Sequence, residues 1–376
     1  MRYQGYVIFR ERLRQGMRQK ELCRGICAVS YLSKIESGRA DPSEEIIRLL
    51  LSRLGLPIDA AMEEEAGKAE ERGFELLMEG RMEELCALTR APRFSGLLTT
   101  AAGLSLELLA ALANGRKPLE AALEPCMDER QLALQRMLQN RAEEAALLYP
   151  SAYTRMAGGL SLYHRGSYSA AIEALQAGYE LAAKEGAARL MLQCKTYIGN
   201  SYCNMQDLEN MERHYAVARR LAEALGDQET LRAIGYNTAS SLMEAGRFEE
   251  ALGWFASLKA PDLMDLHKLA ICCEKTGRKK QALTALDRAE GMGEAPIDLS
   301  LAKQLCALVR YRLEHPRYLK DEGYGRLLLA CFDRCRRELP LGYAIFHLPW
   351  MLEWYKAARQ YRKACELLEE FPNTCP

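Results

Sequence analysis

The chain has 376 residues and a mass of 42.4 kDa, and its 51 Lys and Arg balance 51 Asp and Glu, which excludes a protein drawn to nucleic acid along its whole length. At about 150 residues per domain the length allows two or three domains, while 49% hydrophobic and 27% charged residues exclude a disordered chain. Few prolines, few aromatics and recurrent Leu, Ala, Glu and Arg favour helices over sheets.

The charge is unevenly placed. Residues 1–60 carry 11 Lys and Arg against 7 Asp and Glu, a local +4 that the remainder, with 40 and 44, offsets at −4. The opening Met-Arg-Tyr-Gln-Gly-Tyr-Val-Ile-Phe-Arg-Glu-Arg is broken by charge too soon for a secretory leader, so a cytoplasmic protein is expected. Val7 to Gln15 reads as a helix ended by Gly16, a residue that tolerates positive φ. A short second helix starts near Arg18 and breaks at Gly25. The third runs from about Ala28 to Glu36, with Ala28, Leu32 and Ile35 on one face and Ser37-Gly38 as its stop. Ser43 is the expected N-cap of a fourth, with Glu44 and Glu45 at its positive end and Ile46, Leu49, Leu50 and Leu54 as its apolar stripe.

Short helices around one small core, with a tight break between the second and third, describe a helix-turn-helix domain over residues 1–62. Opposite the apolar face of the third helix lie Ser30, Ser33, Lys34 and Ser37, small, polar and basic enough to enter a major groove. Ser30, Tyr31 and Lys34 are the expected base-edge contacts, and Val29 a thymine-methyl contact. Arg18, Gln19, Lys20, Arg24 and Arg39 flank them for phosphates, which set register without reading sequence.

The run Gln19-x-x-Leu22, Tyr31-Leu32-Ser33-Lys34-Ile35-Glu36-Ser37-Gly38 and Pro42 resembles the repressor-type (Xre/Cro-like) helix-turn-helix family. That resemblance implies an ion pair between Arg12 and Glu36. One residue fewer between Gln19 and Glu36 than is usual makes the segment look like a subgroup, the peptide-pheromone receptors called RRNPP regulators, of the PlcR and NprR kind. The resemblance covers about residues 7–58.

Beyond residue 63 no further domain boundary is evident. Leu97–Ala113 is the most apolar stretch, but Thr99, Thr100, Ser105 and Glu107 interrupt it and it falls short of the ~20 residues a membrane span needs. From about residue 66 a loose period emerges. Its clearest copy is Tyr236-Asn237-Thr238-Ala239, Leu242, Gly246-Arg247-Phe248, Ala251 and Phe255, a tetratricopeptide pattern in which small residues let paired helices approach and Gly246 makes the turn. Copies recur at Gly159 to Leu175, Gly199 to Ala218, Ala270 to Leu286 and Leu352 to Leu368, with a weak one at Gly73 to Leu85. Residues 87–150 and 297–340 read as helical but fit the frame poorly. The expected fold is all-α: the amino-terminal lambda-repressor-like module, then a tetratricopeptide-repeat-like right-handed superhelix over 63–376.

No catalytic or metal-binding motif accompanies these repeats, so neither an enzyme nor a cofactor is expected. Cys23/Cys27 and Cys331/Cys335 lack His at ligand spacing and read as small core residues. A groove without catalytic residues suits something elongated. In the first helices of adjacent repeats, Gln193, Thr196, Asn200 and Cys203, then Tyr236 and Ser240, take the inner positions, with Asn237 one residue along. An Asn amide both donates and accepts, matching a peptide backbone whatever its side chains. The RRNPP resemblance implies that role for Asn237 in Tyr236-Asn237-Thr238-Ala239, and less directly for Asn200. Tyr163 and His267 are expected on the same side. The partners implied are a double-stranded DNA operator, a short signalling peptide and a second copy of the chain, but no membrane. An alternative is a repeat scaffold for a protein partner, with the head as a localising device.

Overall fold

The computed structural model describes residues 2–339 and 341–371, and among these there are helices and no strand. Four helices make the amino-terminal module: α1 Arg2–Arg14, α2 Gln19–Leu22, α3 Val29–Glu36 and α4 Glu44–Arg53. Then follow α5 Ala60–Met78, α6 Met82–Thr89, α7 Phe94–Leu97, α8 Gly103–Ala113, a 3-10 turn Ala121–Cys126, α9 Glu129–Leu138, α10 Ala142–Leu148, α11 Ala152–His164, α12 Tyr168–Glu185, α13 Ala188–Asn204 and α14 Leu208–Leu225. The remaining helices are α15 Gln228–Glu244, α16 Phe248–Ser257, α17 Leu263–Lys275, α18 Lys279–Glu290, α19 Leu299–Glu314, α20 Glu322–Glu338, α21 Leu341–Ala357 and α22 Tyr361–Glu370, with a 3-10 turn Tyr318–Lys320 before α20. No described helix is long and apolar enough to cross a membrane.

The chain forms two compact units. One runs through Ser201 and takes in Arg213–Asp227; the other takes Tyr202–Glu212 and the chain from Gln228 onward. The division lies in α13 and α14. The reason is visible in the first unit, where Val7, Ile8, Leu22, Leu32, Ile35, Leu50 and Leu51 belong to one apolar cluster with Phe74, Leu77, Leu85, Leu104 and Leu108. The head therefore shares its core with the helices that follow it.

Helix α1 starts earlier than the sequence pattern suggests, because its first turns find partners beyond the head. Tyr3 donates its hydroxyl to the Leu98 carbonyl at 2.9 Å and to Glu107 Oε2 at 3.1 Å. Gly5 lies so close to α3 that a Cβ there would stand 2.2 Å from the Ile35 carbonyl oxygen. Ser43 caps α4, accepting from the Ile46 amide. The stripe of α4 differs from the one expected: Ile47, Leu50, Leu51 and Leu54 are buried, whereas Leu49 is 47% exposed. The run Ile46-Ile47-Arg48-Leu49-Leu50-Leu51 offers two helical stripes one residue apart, and contacts with α1 and α3 choose between them.

Repeat turns follow backbone need more closely than residue type. Gly166 and Gly246 both take positive φ (79° and 75°), and Gln206, midway between them, does the same at 58° without being glycine. The hairpin demands a left-handed residue there, and neighbouring packing imposes it on Gln206. Where the frame has glycine on a helix face, close approach explains it: a Cβ on Gly199 would sit 2.4 Å from the Tyr215 ring.

Candidate DNA-binding surface and repeat-domain ligand sites

The scaffold of the head is the Arg12–Glu36 pair. Arg12 Nε donates to Glu36 Oε1 at 2.6 Å and Nη2 to Oε2 at 2.9 Å, while Nη1 donates to the Met17 carbonyl at 2.9 Å. Both side chains are almost wholly buried. Gln19 completes the network by donating its amide to Glu36 Oε2 at 2.7 Å. That nitrogen, expected at a phosphate, is thus committed to fixing α2 against the end of α3. Arg53 of α4 donates to the Leu22 carbonyl at 2.8 Å, satisfying the end of α2.

With α3 held from behind, its outer face is open. Leu32 and Ile35 face the core; Val29, Ser30 and Lys34 are exposed, and Tyr31 and Ser33 are half-buried. Arg18 and Arg39 are exposed on either side, Arg39 donating Nε to Ser37 Oγ at 2.9 Å. The carboxy-terminal edge of α3 is less open: Ser33, Glu36 and Ser37 face Glu120, Ala122 and Pro125 across a cavity of about 510 Å³. Tyr6 lines this cavity too, and burial with the adjacent Glu120 raises its hydroxyl to about 12. The open part of α3 is therefore the side that carries Val29, Ser30 and Lys34.

The repeat residues expected to hold a peptide are distributed between the two units. In the first, Gln193 is exposed, Thr196 Oγ1 donates to the Leu192 carbonyl at 2.9 Å, and Asn200 Oδ1 accepts from Tyr215 at 2.6 Å. Tyr163 packs edge-on against Tyr197 with ring centroids 5.2 Å apart. In the second, Tyr236, Asn237 and Ser240 are half-buried along α15, and Cys203 Sγ lies 2.9 Å from Ser241 Oγ.

His267 does not line an open face. It is fully buried in α17 and stacks on His347 of α21, the ring centroids 6.1 Å apart. The frame places it on the inner side of its repeat, and the side of α17 that carries it is covered by α21. Both His267 ring nitrogens and His347 Nε2 are without hydrogen-bond partners. Burial holds both rings neutral, pushing His347 down to about 4 and His267 well below the ordinary histidine range.

Lys268, next to it, escaped sequence reasoning. It is 7% exposed and donates Nζ to Ser240 Oγ at 2.6 Å. The ammonium lies 4.5 Å from the Tyr236 ring centroid and 4.8 Å from that of Phe346 on α21. Burial pushes it down to about 8, against the pull of Glu244. The available signal was positional, since Lys268 stands two residues before Ala270, as Asn237 stands before Ala239. Because a buried charge costs more than it returns, Lys268→Met is expected to stabilise the protein by up to about 3 kcal/mol at neutral pH. With its folded value depressed below 10.5, lysine binds fewer protons when folded, so this gain shrinks as pH rises from about 8 through 10.5. Urea unfolding of both proteins across that range checks it.

Beside this cluster, on the same flank of α15 and α17, is a cavity of about 510 Å³ lined by Met243, Glu244, Ile271, Ile345, Phe346 and Trp350 among others. Arg312 of α19 lies over the Trp350 ring at 3.9 Å and pairs with Glu274 at 2.8 Å. Both are structural charges satisfied inside the core. Of the cysteines read as core residues, Cys23, Cys331 and Cys335 are buried and Cys27 is half-buried; burial raises Cys331 to about 12.

The helix-turn-helix family model matches residues 8–60, the stretch from within α1 to the start of α5. Among solved structures, the chain is similar to a Rap protein complexed with Competence and Sporulation Factor, with a TM-score of 0.53 and 16% identity over 83% of this chain and 98% of that one. It also matches Bacillus thuringiensis PlcR in complex with the peptide PapR7 and DNA, with a TM-score of 0.28 and 18% identity over 77% and 96% of the two chains. No curated protein matches it. Fold and surface thus define a protein with a DNA-binding helix-turn-helix head. That head is of the Xre-like kind, and the helical-repeat fold behind it is shared with Rap.

Proposed function

We propose that this chain is a cytoplasmic transcription regulator that binds an operator as a homodimer and responds to a short signalling peptide held by its repeats. The observation that carries the first half is the exposed face of α3, with Val29, Ser30 and Lys34 presented by a buried Arg12–Glu36–Gln19 network. Arg18 and Arg39 flank it for phosphates, while Tyr31 and Ser33 lie at its margin. A single small head makes too few base contacts for high specificity, which is the reason for proposing a dimer and a two-fold operator. Support for the second half comes from the repeat fold shared with a Rap protein that was solved with Competence and Sporulation Factor. The second unit's Tyr236, Asn237 and Ser240 supply both an aromatic wall and a backbone-matching amide. The peptide changes DNA binding only if it prefers one arrangement of the repeats.

Selection from a random duplex pool with the full chain tests the DNA reading. The expected product is a two-fold symmetric site whose affinity falls roughly a thousandfold or more between low and moderately high salt. Lys34→Ala is expected to weaken binding about tenfold without lowering the melting temperature. Unchanged affinity in that variant removes α3 from the groove. For the peptide, calorimetry with synthetic peptides from a small secreted-peptide gene beside this one is expected to give heat that Asn237→Ala abolishes.

A further inference from the structure

We propose that Lys268 is the anchor for a carboxylate of the bound peptide, and that Phe346 is the gate that must swing aside for it to arrive. The inference rests on the peptide-binding reading above and adds the chemistry of the ligand.

Lys268 is a buried cation with no carboxylate within 4 Å among the described residues. Of its three N–H donors only one has a conventional acceptor, Ser240 Oγ at 2.6 Å; the aromatic faces of Tyr236 and Phe346 are its other close neighbours. A ring face is a weak substitute for an anion. Ser240 is itself anchored, donating to the Tyr236 carbonyl at 2.8 Å, so the ammonium is held in place. Its repeat position matches that of Asn237, on the face proposed to meet a peptide backbone.

Phe346 both covers the Lys268 ammonium and lines the cavity of about 510 Å³ beside Met243, Ile271 and Trp350. Rotating that one ring would join the ammonium to this cavity, whose largely apolar lining also carries Glu244, Lys275 and Glu353. The combined site takes an apolar peptide segment carrying a carboxylate, which forms a charge-assisted hydrogen bond in a water-poor setting. The carboxylate is either the peptide's C-terminus or an Asp or Glu side chain, and the chemistry at Lys268 is the same for both.

The test is affinity selection by the full chain from four pools of short random peptides: free acids and carboxamides, each made with and without Asp and Glu. Retention of free acids over amides irrespective of composition supports the C-terminal source; retention of amides only when Asp and Glu are present supports the side-chain source. With a retained peptide in hand, Lys268→Met is expected to weaken binding roughly thirtyfold or more. Phe346→Ala is expected to tighten it, because the ring no longer has to be displaced. The Met side chain fills the lysine's volume, so this variant keeps its fold. Equal retention of all four pools, or a Lys268→Met protein that keeps the wild-type preference, overturns the anchor and leaves peptide binding intact. Retention of no pool overturns the peptide-binding reading and the anchor with it.

Discussion

Arg12→Ala is expected to unfold the helix-turn-helix module, not merely to weaken its grip on DNA. The substitution leaves the Glu36 carboxylate, almost wholly buried, with the Gln19 amide as its remaining side-chain donor among the described residues after two guanidinium bonds are lost. Breaking one partner of a buried pair costs about 3–5 kcal/mol, a large share of the stability of any domain. The Met17 carbonyl also loses its Nη1 donor, which loosens the turn between α1 and α2. Replacing both partners, as in Arg12→Met with Glu36→Leu, is expected to recover most of that loss because no orphaned charge stays behind. Hydrogen exchange over residues 8–60, with urea unfolding of the single and double variants, separates the outcomes. A double variant no more stable than Arg12→Ala would contradict a cost arising from the orphaned carboxylate.

Acidification is expected to loosen the second unit. His347 and His267 stack in its core, and the charges nearest them, on Lys268 and Arg312, are positive. A histidine whose folded value is depressed stays neutral in the fold while the unfolded chain takes up the proton. Its stabilising contribution is complete above 6.5 and is lost as pH falls toward about 4. His347 alone accounts for about 3 kcal/mol across that interval, and His267 acts in the same direction. His347 Nδ1 lies 2.7 Å from the Tyr343 carbonyl within α21, a bond that suits the neutral ring with its proton on that nitrogen. His347→Phe is expected to flatten the stability profile between pH 6.5 and 4 without greatly changing stability at pH 7. Superimposable profiles for the two proteins would place the acid sensitivity elsewhere. Since α21 also carries Phe346, the same protonation would relax the cover over Lys268.

Much of the head was legible because its signals are local. Ser43 caps α4, Gly16, Gly25, Gly38 and Gly55 all take positive φ at the helix breaks, and Leu32 and Ile35 face inward. The Arg12–Glu36 pair could be anticipated only through family resemblance, since two residues so far apart in sequence announce no contact. The register of α4 was not legible, because Ile46-Ile47 and Leu49-Leu50-Leu51 satisfy two stripes equally and only α1 and α3 decide. The early start of α1 was hidden for a related reason: Tyr3 and Gly5 are poor helix formers whose partners lie near Leu98 and Ile35.

By itself, then, the order of residues determined the helices, their breaks, the repeat frame and the polar outer face of α3, since each depends on spacing along one short segment. The tertiary structure decided which inner positions are open. Tyr236, His267 and Lys268 share a cluster with α21, so whether the side they occupy meets solvent depends on a helix far along the chain. Its Phe346 and His347 turn an anticipated groove wall into a closed cluster beside a cavity. A periodic pattern assigns a face to a helix, whereas burial of that face is set by whichever distant element packs against it.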